Sequence, residues 1–249
     1  MLSIPQLRTN RLTLELKELT FLQAIELASL KPNQLEAATT KLLRYAIKSV
    51  KGADADPINW TVQERITAVS WYMAHTREDG PNFPTGNGTY SDYFDSELSL
   101  SPNLDRIELG EHGGDKWFLQ QLTGVMAESI ERLTSSIDHP PYLHWLTGGM
   151  AAQLVKDDEK PVEFELEQDL DEWLEQRIKT FLSYPDSDFE TLMLAYRINR
   201  PRLDHMVSID FDDKGICVLP ANDNEGELGL VPTRFRASSC LSKSARSLV

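Results

Sequence analysis

The sequence predicts a helix-rich α+β fold: two related strand-plus-helical-bundle modules with a C-terminal β-hairpin. Three observations lead there. The pattern from Leu14 to Leu30 returns from Trp117 to Leu133, with Leu14, Leu16, Leu19, Thr20, Ala24, Leu27 and Leu30 matched by Trp117, Leu119, Leu122, Thr123, Ala127, Ile130 and Leu133. Every pair lies 103 positions apart. Several long segments carry apolar residues at helical spacing, whereas residues 207–219 alternate about an Asp212-Asp213-Lys214-Gly215 bend.

Taken in order, Leu12, Leu14 and Leu16 alternate with polar residues and predict a half-buried strand. Thr20 with Gln23 forms a capping box, in which the hydroxyl accepts an orphan backbone N–H and the glutamine reaches back to the cap. The helix it opens stops at Pro32. A second helix is expected over 36–50, with Leu42, Leu43, Ala46, Ile47 and Val50 on its apolar side, and a third over 61–76, capped by Thr61 with Glu64 and packed from behind by Trp60. Residues 80–114 lose helical period and gain Gly, Pro, Asn and aromatic residues, so they read as a loop region joining the modules. The second module repeats the plan: a helix after Thr123, a helix over 142–155 whose Gly148 and Gly149 permit close approach, and a helix over 163–182 with Leu166, Leu170, Trp173, Leu174, Ile178 and Phe181 on one face. A further helix over 188–200 ends at Pro201. The division expected is 1–79 and 115–203 for the two modules, 80–114 for the aromatic connection, 204–220 for the hairpin, and 221–249 for a flexible basic tail.

The 249 residues allow one large or two small cores. A net charge of -14 opposes nonspecific nucleic-acid binding, which needs a surplus of Lys and Arg to neutralise phosphates. Two cysteines, Cys217 and Cys240, are too few for a disulfide framework or a zinc cage and fit a reducing compartment. No basic n-region precedes an apolar h-region, so no signal peptide is expected, and no apolar run approaches the ~20 residues that cross a bilayer. A soluble protein made in a cytoplasm is the expectation.

No constellation gathers for catalysis. His139 and His144 lie five apart across Pro140-Pro141, which is not the spacing of a helical zinc pair. Asp210-x-Asp212-x-Lys214-Gly215 has lysine at the fifth position of a calcium loop and Ala221 at the twelfth, so a hairpin turn accounts for it better. Gly86-Asn87-Gly88 is neither a dinucleotide fingerprint nor a P-loop. Glu163, Glu165 and Glu167 alternate as a paired-acid site could, but acids at a helix N-terminus are favoured by the dipole alone. No catalytic residue, cofactor or metal is therefore assigned.

Candidate interface residues remain. Trp71, Tyr72, Tyr90, Tyr93 and Phe94 concentrate aromatic side chains around the loop region, and such residues anchor protein contacts. Residues 157–190 hold 13 acids against 3 bases, and Glu163, Glu165, Glu167 and Asp171 on this segment are candidates for a docking face. Arg234 and Arg236 open the basic tail, which could order on a neighbour.

Two resemblances bear on function. Thr9-Asn10-Arg11-Leu12-Thr13-Leu14 through Leu19-Thr20 resembles the opening of GNAT acetyltransferases, which implies coenzyme A binding, but the chain lacks that family's R/Q-x-x-G-x-G/A loop. Segments 36–43, 59–65 and 86–93, with Gly114-Asp115-Lys116-Trp117 and Leu122-Thr123-Gly124, resemble small baseplate-hub and tail-assembly proteins of contractile-tailed bacteriophages. That resemblance covers about half the chain. It implies a non-enzymatic structural component of the virion tail, made in the host cytoplasm, present in multiple copies and bound to other tail or baseplate proteins. A tail assembly chaperone absent from the mature virion is the alternative, and a GNAT-like acyltransferase a further one. Neither nucleic acid nor membrane is an expected partner.

Overall fold

The computed structural model describes residues 2–94, 104–134, 139–159, 167–221 and 229–247. The first module begins with strands β1 (Leu7–Arg8) and β2 (Thr13–Leu16), followed by helices α1 (Phe21–Ala28) and α2 (Leu35–Ala46). The chain passes from α2 directly into strand β3 (Ile47–Lys51), then reaches helix α3 (Val62–Thr76). The sheet is antiparallel with β2 in the middle, pairing Leu14 with Leu7 and Val50, and Leu16 with Ile47. Both expected capping boxes form, Thr20 with Gln23 and Thr61 with Glu64.

A two-stranded ribbon, β4 (Pro84–Thr85) and β5 (Gly88–Thr89), and a 3-10 turn at Tyr90–Tyr93 follow. The second module then repeats the first: β6 (Arg106–His112), β7 (Asp115–Gln120), α4 (Gly124–Leu133), α5 (Pro141–Gln153), β8 (Leu154–Lys156) and α6 (Glu167–Leu182). Its sheet again carries the second strand in the middle, and Leu119 lies between Ile107 and Leu154. Leu16 and Leu119 thus hold equivalent places, each opposite the first residue of the strand that its module's second helix runs into.

Three expected boundaries move. The helices expected over 36–50 and 142–155 end at Ala46 and Gln153, and their last residues are the strands β3 and β8. Ile47 and Val50, like Leu154 and Val155, satisfy a helical stripe as well as a strand, and pairing with β2 or β7 decides for the strand. The loop region over 80–114 contains β6, which belongs to the second sheet. The helix expected over 163–182 is described from Glu167 onward, and residues 163–166 lie outside the described residues.

The remaining chain adds helix α7 (Asp186–Asn199), a 3-10 turn at Arg200–Leu203, the expected hairpin of β9 (Ile209–Asp212) and β10 (Gly215–Val218), a 3-10 turn at Ala237–Cys240, and a short helix α8 (Lys243–Ser247). The tail expected to be flexible is, over 229–247, part of the body. Thr233 pairs with Val218, and Phe235, Ala237, Leu241 and Ala245 are buried. Burying a Phe or Leu side chain contributes about 1.5–3 kcal/mol, so Phe235 and Leu241 are the main anchors of this segment.

One continuous core runs through both modules. α2 packs on α3 and α4, and α4 packs on α5 and α6. The starts of α3 and α4 are also joined by backbone: Val62 N–H donates to Leu122 O at 2.8 Å and Gly124 N–H to Trp60 O at 2.9 Å. Gly148 and Gly149 do allow close approach, since a Cβ there would stand 2.8 Å from Ile130 Cγ2 and 2.6 Å from Phe211. Among the described residues, no helix is long and apolar enough to cross a membrane.

Candidate functional site

The aromatic residues of the loop region face inward. Tyr90 stacks on Phe94 with centroids 4.4 Å apart, and Phe83, Tyr90, Tyr93 and Phe94 all surround Phe235 from the C-terminal segment. Tyr93 is fully buried and its hydroxyl donates to Val231 O at 2.6 Å. Tyr72 is buried too; its hydroxyl accepts Leu19 N–H at 3.1 Å, and burial pushes it up to about 12. Trp71 donates through Nε1 to Pro5 O at 2.8 Å and lies against His75. As partner anchors, Tyr72 and Tyr93 are therefore excluded by enclosure. The cluster ties loop to tail within the chain, because residues more than 140 positions apart supply the rings that cover one another.

The acidic candidates divide. Glu163 and Glu165 lie outside the described residues. Asp171 is an internal brace: its carboxylate accepts both Arg132 Nε and Nη2 at 2.8 Å and Ser129 Oγ at 2.5 Å, fastening α6 to α4. Glu167 is exposed, 3.7 Å from Arg132. The basic candidates divide likewise. Arg234 is half-buried and paired with Asp212 in the hairpin, whereas Arg236 is exposed.

Sequence reasoning missed a set of charged residues at the junction of the modules. Arg65, on α3, is 1% exposed. Its Nη2 donates to Glu36 O at 2.8 Å and to Thr40 Oγ1 at 2.7 Å, and its guanidinium lies 3.5 Å from the Glu36 carboxylate and 3.6 Å from that of Glu128. Thr40 donates to Glu128 in turn. Burial raises Glu36 above the usual carboxylate range, partly offset by the attraction of Arg65. Glu131 accepts the backbone N–H groups of Glu36 and Ala37 and is raised to about 7, burial being the main cause. On the other side of α3, Glu64 is fully enclosed and held by a two-pronged bridge from Arg11. The one available signal was that α3 mixes Gln63, Glu64, Arg65, Thr67 and Ser70 with its apolar stripe, and all of them prove buried.

Two histidines are enclosed and lose their positive charge readily, burial lowering both. His205 has Nδ1 3.0 Å from Leu203 O and Nε2 3.0 Å from Thr61 Oγ1, so a neutral ring with the proton on Nδ1 satisfies both contacts. His144 Nε2 lies 2.7 Å from Ile130 O. Neither ring is open to a substrate. Asp204, 7% exposed, is raised by burial to about 6 while Arg200 opposes the shift. These groups hold elements together.

Among the described residues, several large apolar side chains and a groove face outward. Phe21 and Leu22 at the head of α1, and Leu194 and Ile198 on the outer side of α7, are each more than half exposed. A groove of about 300 Å³ lies between the end of α1, the start of α2 and the 236–241 turn, with Lys31 and Arg236 on it. Comparison with protein-family models, with curated proteins and with solved structures returned no match.

Proposed function

We propose that the chain is a non-enzymatic structural component of a bacteriophage tail or baseplate, binding neighbouring tail proteins. The observation that carries this reading is a division between inside and outside. Arg65, Glu128, Glu131, Asp171 and Arg132 are engaged in bracing helices of both modules, so the titratable clusters described above serve the block itself. Its outer helices meanwhile present Leu194 with Ile198 one turn apart, and Phe21 beside Leu22. Exposed apolar side chains grouped in this way support a partner-binding reading. The sequence resemblance supplies the class of partner.

Co-elution tests the reading. The tagged chain, expressed during infection or prophage induction, should co-elute with tail proteins at a fixed ratio, and Leu194→Asp with Ile198→Asp should reduce that ratio. Coenzyme A should leave its melting temperature unchanged. A saturable rise with coenzyme A would favour an acyltransferase, since a ligand that binds only the native state raises apparent stability.

A further inference from the structure

We infer that the groove between α1, α2 and the 236–241 turn is a docking site for an acidic, apolar segment of a partner protein. This deepens the proposal above and rests on its claim that the chain binds proteins. The groove's apolar lining comes from three places in the sequence: Leu27 and Leu30 with the end of α1, Leu35 and Ala38 from α2, and Leu241 from the C-terminal segment. Its charged lining is basic alone, Lys31 and Arg236, in a chain with 39 acids and 25 bases. Both cations are exposed, and neither has an ion-pair partner among the described residues. Elsewhere the arginines that line internal contacts are paired, as Arg65, Arg132, Arg177, Arg200 and Arg234 are.

An apolar trough whose positive charge is unpaired among the described residues selects its occupant by charge. A segment with Leu-like side chains would bury them against the half-buried Leu30, Leu35 and Ala38, and neighbouring carboxylates would reach Lys31 and Arg236. A basic segment would meet two like charges at the edge. The volume is at the lower end of small-molecule pockets, about 300–1,000 Å³, which suits a few side chains of a peptide better than a bulky cofactor. Exposed charge pairs add mainly selectivity and encounter rate, so the complex should weaken as salt rises.

A random twelve-residue peptide library panned against the full chain tests this. Enriched peptides should carry Asp or Glu beside Leu, Ile or Phe. The best of them, measured by fluorescence polarisation, should bind at least tenfold more weakly to a Lys31→Glu, Arg236→Glu double variant and within twofold to a Lys214→Glu control. Both variants alter exposed side chains, and matching thermal melts verify that they fold. No enrichment, enrichment of basic or uncharged peptides, or binding indifferent to the double variant would overturn the inference. So would a dimer in sedimentation that the double variant converts to monomer, because the occupant would then be a second copy. Peptide selection and particle association are independent readouts: absence from tail particles with acidic peptides enriched would sink the tail assignment alone, and the reverse pattern would sink the groove alone.

Discussion

The carboxylate of Glu131 accepts the backbone N–H of Glu36 at 2.9 Å across 95 residues of sequence, and so caps the first turn of α2 from the other module. The residue in the cap position of α2, Gln34, makes no side-chain cap bond. A helix start needs acceptors for its orphan N–H groups, and here the second module provides them for the first. Replacing Glu131 by Ala should destabilise the protein by about 1–2 kcal/mol in urea unfolding. A change near zero would show that the cap contributes nothing to the fold.

The same group sets a pH dependence. Glu131 titrates at about 7 in the folded chain against an ordinary value of 4.5, because burial outweighs its hydrogen bonds. The folded state therefore retains a proton that the unfolded chain has lost. The contribution is fully present below about pH 4.5 and is lost as pH rises through about 7. Glu131→Gln keeps an acceptor without a titration, so its melting temperature should vary less than the parent's between those values. Equal slopes in the two proteins would contradict the assignment.

Arg65 is buried against two carboxylates, those of Glu36 and Glu128. Replacing it by Met leaves Glu36 without its cation and Glu128 with Arg132 alone, and breaking a buried pair in this way costs about 3–5 kcal/mol. Calorimetry should show a large fall in melting temperature, and a fall like that of an exposed-residue variant would mean the junction is solvated.

Gly124 is required by its neighbours. A Cβ there would lie 2.1 Å from Arg65 Nη1 and 2.7 Å from Ile58 O, at the place where the starts of α3 and α4 meet. Gly124→Ala should destabilise by about 1–3 kcal/mol or more, as overpacking does, despite alanine's higher helix propensity. A stabilised variant would refute the close approach.

Phe235 carries the tail. Its ring meets Phe83, Tyr90, Tyr93 and Phe94, so Phe235→Ala should cost about 3–5 kcal/mol. Hydrogen exchange should quicken in both the 83–94 segment and the tail. Unchanged protection would mean that the tail is not seated.

The features legible in the sequence were those set by near neighbours. The boxes at Thr20 and Thr61 follow from residues three apart, and the repeat follows from side-chain periodicity that each module preserves. The strands β3 and β8 were read as helix in both modules, the same error twice, since only distant pairing with β2 and β7 distinguishes them. Composition marked Tyr90, Tyr93 and Phe94 as an interface, but the surface they cover is Phe235 of the same chain. Arg236 was legible as an available cation. The apolar groove beside it was not, because its walls come from three separated segments.

Mass spectrometry of purified phage particles, alongside the lysate of an infected or prophage-induced culture, determines whether the chain is a tail component. The chain should be found in mature particles at a fixed ratio to other tail proteins. Presence in the lysate alone, bound to tail proteins, would contradict a virion role and make it an assembly chaperone, and absence from both would contradict the phage assignment altogether.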